Sequence, residues 1–264
     1  MTLIFDIGNT NIKAALADRS GIIETLRFNS DLNTPSEVIQ TQILRMISEC
    51  GIKKEDLTDS IISSVVPNLT DFAAQISEKI IQKKPCIINS SLYKKLPVTI
   101  PESAVNQIGT DLLCDAVGAW EKYRRPCIII NFGTALAFTA ITQDAHICGV
   151  AITLGINTAL KSLTANTAQL SEVPLEFPES SLGTTTEKSI QAGILFGYKG
   201  LVESLAERMK DDLFKEYQTP KDKIKVIATG GLSGILKPVT KEIDFYDPDL
   251  TLYGIQKCLE YIKE

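Results

Sequence analysis

Histidine and tryptophan occur once each in this 264-residue chain, and methionine three times. A lone imidazole, His146, excludes a multi-histidine metal centre and any relay between two histidines. None of the six cysteines (Cys50, Cys86, Cys114, Cys127, Cys148 and Cys258) belongs to a C-x-x-C pair, and most lie in apolar surroundings such as Cys127-Ile128-Ile129-Ile130. They read as reduced core thiols in a reducing compartment. No apolar run reaches the roughly 18 residues of a membrane span. The opening Met1-Thr2-Leu3-Ile4-Phe5-Asp6 brings a charge early with no basic lead, so no secretory leader is expected. The expectation is a soluble, cytoplasmic protein with no membrane partner. Lys and Arg total 27 against 32 Asp and Glu, a net charge of −5, which offers nothing to nucleic acid. Lys83-Lys84 and Lys94-Lys95 read as a solvated patch. Two nucleotide signatures are missing as well. There is no G-x-x-x-x-G-K-[ST] and no G-x-G-x-x-G after a strand, so P-loop and dinucleotide folds are set aside.

What is present is a pattern of short apolar runs closed by glycine turns. Residues 2–7 read as a buried strand ending at Gly8-Asn9-Thr10, and Ile12 to Ala17 as the returning strand. A third strand is expected near Gly21–Phe28, then a helix from Pro35 to Cys50 with Thr34 as N-cap. Strand Ser60–Val66, helix Leu69–Ile81, strand Cys86–Asn89 and helix Gly109–Tyr123 follow, the last broken by Pro126. The chain then starts again: strand Cys127–Asn131, turn Phe132-Gly133-Thr134, strand Ala135–Thr142. An apolar stretch at Gly149–Ile156, a helix over Ser189–Met209, a strand Lys225–Ala228 and a helix Tyr253–Ile262 complete the pattern. Asp6-Ile7-Gly8-Asn9-Thr10 and Asn131-Phe132-Gly133-Thr134 match as polar residue, glycine, threonine after a strand. The fold class expected is α/β with two similar halves, residues 1–118 and 119–264, each a mixed sheet flanked by helices.

Three glycine turns follow three strands, at Gly8, Gly133 and Gly230-Gly231, each with threonine beside it. Taken singly each reads as a hairpin turn. Together they suit backbone N–H groups approaching phosphate oxygens. Asp6 ends a buried strand, where it accepts turn N–H groups or organises Mg²⁺ and phosphate. Lys13 on the next strand reaches a phosphate or faces solvent. Gly109-Thr110-Asp111 opens a helix, as an ordinary cap or as the seat of a general base that phosphoryl transfer requires.

At these residues the chain resembles the type III pantothenate kinases, within the acetate and sugar kinase and actin superfamily. Asp6-Ile7-Gly8-Asn9-Thr10-Asn11-Ile12-Lys13 resembles the family's D-x-G-N-T-x-x-[KR], and Ser63-Ser64-Val65-Val66-Pro67 its S-S-V-V-P. Gly109-Thr110-Asp111 stands at G-x-D-R, Phe132-Gly133-Thr134-Ala135 at D-x-G-T-A, Thr186 with Ser189–Gly193 at T-x-x-S-I-x-x-G, and Thr229-Gly230-Gly231 at T-G-G. The resemblance implies actin-like (ribonuclease H-like) halves with mixed five-stranded sheets. It also implies ATP held by Asp6, Ile7, Gly8, Asn9, Thr10, Asn11, Ile12, Lys13, Gly133, Thr134, Gly230 and Gly231. Asp111 would be the proton acceptor, and Gly109, Thr110, Asp111, Leu112 and Thr186 would lie at pantothenate. Mg²⁺ through Asp6, a monovalent cation such as K⁺ at Asn131, and a homodimer are implied too.

The chain departs from the pattern at named positions. Leu112 replaces the arginine after the aspartate, removing a fork of donors. Asn131 replaces the D-x-G-T-A aspartate, keeping an oxygen but losing the charge. Ala137 stands where a threonine is expected, and the Tyr-x-x-Pro before G-x-D-R is replaced around Glu102 and Val105. Three readings follow: an active pantothenate kinase, a weakly catalytic or inactive relative binding nucleotide or pantothenate as a regulator, or a kinase for another small hydroxyl acceptor.

Overall fold

The computed structural model describes residues 1–30, 34–165 and 173–264. In chain order the strands are β1 (Thr2–Ile7), β2 (Asn11–Asp18), β3 (Gly21–Asn29), β4 (Asp59–Ser64), β5 (Cys86–Ile87), β6 (Cys127–Phe132), β7 (Ala135–Ile141), β8 (Ile147–Leu154), β9 (Lys225–Thr229) and β10 (Phe245–Tyr246). The helices are α1 (Ser36–Glu49), α2 (Pro67–Ile81), α3 (Thr110–Tyr123), α4 (Ile156–Ala165), α5 (Thr186–Tyr217) and α6 (Leu250–Lys263). The chain divides into two compact units. The first holds Met1–Arg124, Ala145–Ile147 and Asp249–Glu264, and the second Arg125–Asp144 and Cys148–Pro248. This differs from a single break after residue 118, because α3 runs unbroken through it and α6 returns to the first unit.

In the first unit the sheet order is β3-β2-β1-β4-β5. β1 is antiparallel to β2 and parallel to β4, and β2 is antiparallel to β3. Strand side chains alternate between faces, and the sequence obeys this in β1. Leu3, Phe5 and Ile7 join Ile12, Ala14, Leu16 and Ile62 in one core, closed by Ile39, Ile43, Met46 and Ile47 of α1 and Leu69, Ala73, Ile76 and Ile80 of α2. Each Leu, Ile, Phe or Met side chain among these contributes about 1.5–3 kcal/mol when fully buried. α2 begins with Pro67 at its first position, where a missing N–H costs nothing. Pro35, not Thr34, stands at the N-cap of α1, without a side-chain cap.

The opposite face carries Ile4, Asp6, Lys13, Ile61 and Ser63 by the same parity, and α3 and α6 pack there against β1 and β4. The two helices cross closely. A Cβ on Gly118 would lie 2.7 Å from the Leu250 carbonyl oxygen, and one on Gly254 would collide with the Cys114 carbonyl. Thr251 donates to the buried Asp115 carboxylate at 2.6 Å, and the Cys114 and Cys258 sulfurs meet at 4.0 Å. All six cysteines are free thiols.

In the second unit the order is β8-β7-β6-β9-β10. β6 is antiparallel to β7 and parallel to β9, and β9 is parallel to β10. This is the connectivity of the first sheet repeated, with β6 to β10 standing for β1 to β5. Asp6 and Asn131 are both the fifth residue of a six-residue strand. Asp6 faces Lys13 and Ser63 where Asn131 faces Ala137 and Thr229. The core of this unit sets Ile128, Ile130, Phe132, Leu136 and Phe138 against Tyr198, Val202 and Ala206 of α5. That long helix begins at Thr186, with the Thr185 hydroxyl accepting the Lys188 N–H.

Candidate active site

The first unit gathers one polar cluster at the carboxyl ends of the parallel strands β1 and β4, the usual ligand end of an α/β sheet. Asp6 is mostly buried, its side chain 13% exposed, and its Oδ2 lies 3.5 Å from Lys13 Nζ on the neighbouring strand. Burial pushes the Asp6 carboxyl above its ordinary value, while the charges of Lys13 and Arg27 pull it back. Beyond β1 the chain turns: the Gly8 N–H donates to the Asn11 carbonyl at 3.0 Å. Asn9 and Thr10 form the exposed tip. Ser30 straps this turn from the end of β3, its hydroxyl on the Gly8 carbonyl at 2.6 Å and its N–H on the Thr10 carbonyl at 2.9 Å. Ile7 and Ile12 point into the core and hold the turn by packing.

Asp111 reaches the same cluster from α3. The Thr110 hydroxyl bonds Ser63 Oγ and the Ser64 carbonyl, both at 3.0 Å, which pins the first turn of α3 to β4 beside Asp6. The Asp111 Oδ1 accepts the Leu112 N–H at 2.9 Å. A side chain at Gly109 would collide with that carboxylate, so the cap glycine leaves room for it. Burial holds the Asp111 carboxyl above its usual range, the Leu112 N–H opposes this, and the Asp6 charge adds to it. The rise makes Asp111 a better proton acceptor than an exposed carboxylate. Leu112 is buried at 8% exposure and offers only apolar surface.

The second unit carries the matching set. Asn131 Oδ1 lies between two glycine turns, 3.4 Å from where a Cβ of Gly133 would stand and 2.9 Å from one on Gly230. Gly230 has φ +90°, open to glycine and strained for other residues. Gly8 and Gly133 do not have positive φ, so steric demand for glycine is confined to one of the three turns. Thr134 and Gly231 are exposed. The Thr134 carbonyl is held by the Gly155 N–H at 3.0 Å and the Thr158 hydroxyl at 2.6 Å. The Thr229 hydroxyl is buried without a hydrogen-bond partner among the described residues. Thr186 is exposed at the start of α5, on the rim of an open cavity of about 730 Å³.

Sequence reasoning placed Asp6, Lys13, Thr110 and Asp111 together, and the first unit brings them together. It passed over Ser63, although the S-S-V-V-P segment sets that hydroxyl directly opposite Asp6. It passed over Ser30, Gly155 and Thr158 as well, whose roles lie in backbone contacts that no motif marks.

A family model described as type III pantothenate kinase matches residues 2–208. Two curated relatives carry that name. The Finegoldia magna protein is 32% identical over 254 residues, covering 96% of this chain and 95% of its own. The Thermomicrobium roseum protein is 32% identical over 260 residues, covering 98% and 97%. The chain belongs to the type III pantothenate kinase family. Solved structures agree on the fold. A Campylobacter jejuni protein described as a Baf family transcriptional activator aligns with TM-score 0.55 at 17% identity, over 98% of this chain and 97% of its own. A Sinorhizobium meliloti protein described as a 2-dehydro-3-deoxygalactonokinase aligns at 0.54 and 11%, over 98% and 96%. The α/β fold with its twice-occurring five-stranded connectivity is thus one these solved structures share.

Proposed function

We propose that this protein transfers the terminal phosphoryl group of ATP to the hydroxyl of pantothenate, giving 4′-phosphopantothenate, the first step of coenzyme A biosynthesis. The observation that carries the reading is Asp111, a largely buried carboxylate on the first turn of α3, which the Thr110–Ser63 hydrogen bond pins to the sheet face that presents Asp6 and Lys13. Asp111 takes the proton of the attacking hydroxyl. The acceptor oxygen bonds to the γ-phosphorus, the bond to the β-phosphate bridging oxygen breaks, and ADP leaves. Lys13 and the N–H groups of the Gly8–Thr10 turn receive charge on the phosphate oxygens. Gly133, Thr134, Gly230 and Gly231 are the second unit's proposed ATP contacts, and Thr186 its proposed pantothenate contact.

The donor set fits Mg²⁺ carried with the phosphates. Asp6 and Asp111 are the carboxylates of the cluster, and among the described residues no three acidic, His or Cys side chains gather as a metal cage. Mg²⁺ is held in such kinases by one or two carboxylates, phosphates and water, and when bound it neutralises phosphate charge. Asp6 would hold it. At the monovalent-cation position Asn131 supplies a neutral amide, so turnover is expected to be independent of K⁺. The proposed homodimer has support in edge strand β8, which exposes Val150, Ile152 and Leu154 on one face. Light scattering checks that state.

A coupled assay of ADP release tests the reading. Pantothenate-dependent turnover with MgATP, unchanged when K⁺ replaces an inert cation, is the expected result. ATP binding without turnover on pantothenate would overturn the function, and a strong K⁺ requirement would overturn the cation assignment. No helix among the described residues is long and apolar enough to cross a membrane, in keeping with the proposed cytoplasmic location.

A further inference from the structure

The register of the first sheet sets two cations side by side. Asp6 pairs with Lys13 across β1 and β2, and Lys13 pairs with Arg27 across β2 and β3. Directly opposed residues of an antiparallel pair share one face, so Arg27, Lys13 and Asp6 form a row across three strands. Ser63 extends that row on β4. Like charges placed opposite one another destabilise a sheet. Within that row of described residues Asp6 is the one carboxylate beside the two cations, and it ion-pairs with Lys13. Arg27 is exposed and makes no hydrogen bond or ion pair among the described residues, although its charge is felt at Asp6.

The strand that carries Arg27 is also tied to the phosphate turn. β3 runs on to Ser30, which holds both ends of the tip through Gly8 and Thr10. A group bound at that tip therefore meets β3 as well as β1 and β2. An anion with several oxygens placed over the row would relieve the Lys13–Arg27 repulsion and use the guanidinium's planar fork of donors.

Building on the proposed kinase reading, we propose that Arg27 is a phosphate-binding residue, which with Lys13 clamps the terminal phosphate oxygens of a nucleoside triphosphate. The acceptor's carboxylate has the same anionic chemistry, and the test separates the two. The full-length protein and its Arg27→Gln and Arg27→Lys variants are titrated with MgATP and with magnesium tripolyphosphate by calorimetry. KM for ATP and for pantothenate are then measured separately, and melting is followed with and without MgATP.

Arg27→Gln should weaken both phosphate ligands about tenfold or more, the scale of one charge-assisted hydrogen bond lost. It should raise KM for ATP and leave KM for pantothenate unchanged, with Arg27→Lys recovering part of the loss. Without ligand the Gln variant should melt no lower than the parent, since a repulsion has been removed, and its gain in melting temperature with MgATP should shrink. Unchanged phosphate binding in Arg27→Gln overturns the inference, and so does an effect confined to KM for pantothenate. If the parent binds no MgATP, the kinase reading itself fails. If the parent binds it and Arg27→Gln binds it equally, only the Arg27 clamp fails.

Discussion

At the residue scale, the acidic pair works against the stability of its own fold. Burial raises both Asp6 and Asp111 above an ordinary carboxyl, so the folded protein holds their protons more tightly than the unfolded chain does. Stability from these groups is greatest below the unfolded value and declines as pH rises through the raised folded one. Asp111→Asn keeps an oxygen for the Leu112 N–H and removes the buried charge. It should melt higher than the parent at pH 7, with the advantage fading as pH falls below the folded value. Its turnover should drop about 10²–10⁴-fold, the contribution of a general base. Calorimetric melts at pH 7 and pH 4 with steady-state kinetics check both halves. Equal turnover would remove Asp111 from the chemistry. In the parent, the acid limb of kcat/KM should lie above the ordinary carboxylate range.

At the element scale, α3 matters because its first turn bears Asp111, and its position depends on the crossing with α6. Gly254 and Gly118 allow that crossing, and a methyl group at 254 meets the Cys114 carbonyl. Gly254→Ala should cost about 1–3 kcal/mol by overpacking. It should lower kcat more than KM for ATP, because α3 shifts while the Gly8 turn stays in place. Denaturant unfolding and kinetics together check this.

Much of the element pattern was legible beforehand. The short apolar runs at 2–7 and 127–131, closed by the Gly8 and Gly133 turns, marked the two opening hairpins, and the helical spacing over Pro35 to Cys50 marked α1. β8, α4 and β10 were not foreseen as elements: β8 covers most of the apolar stretch Gly149–Ile156, α4 begins only at its last residue, and β10 has two residues. The end of α5 ran eight residues past the expected Met209, because the charged residues from Lys210 to Tyr217 mask a core stripe that Leu213 continues from Val202 and Ala206. Thr34 failed as a cap because Pro35 starts the helix by its fixed φ instead. Of the expected site residues, Asp6, Lys13, Thr110 and Asp111 lie together in the first unit. Ser63 was missed because its significance is a strand register, which a linear sequence does not display.

At the scale of the whole molecule, one five-stranded connectivity occurs twice, and the copies have diverged in charge. The first keeps Asp6, Lys13 and Ser63 in a row where the second has Asn131, Ala137 and Thr229. The proposed proton acceptor and the Asp6–Lys13 pair therefore both lie in the first unit. That unit is closed by the last segment of the chain, since α6 packs on β1, β4 and α3. Deleting residues 249–264 should strip cover from Ile4 and Ile61 and expose β1 to fast amide exchange, while β6 and β9 stay protected. Hydrogen exchange read by mass spectrometry distinguishes the two, and uniform loss of protection would show that the units do not fold separately.

The same return of α6 sets an order on synthesis. Arg125 to Pro248 leave the ribosome before α6 does, so the nascent chain can complete the second sheet while the first still lacks its lid. Asp6 and Asp111 are therefore translated before the second sheet, while the α3–α6 pair that covers their strands is complete only after it.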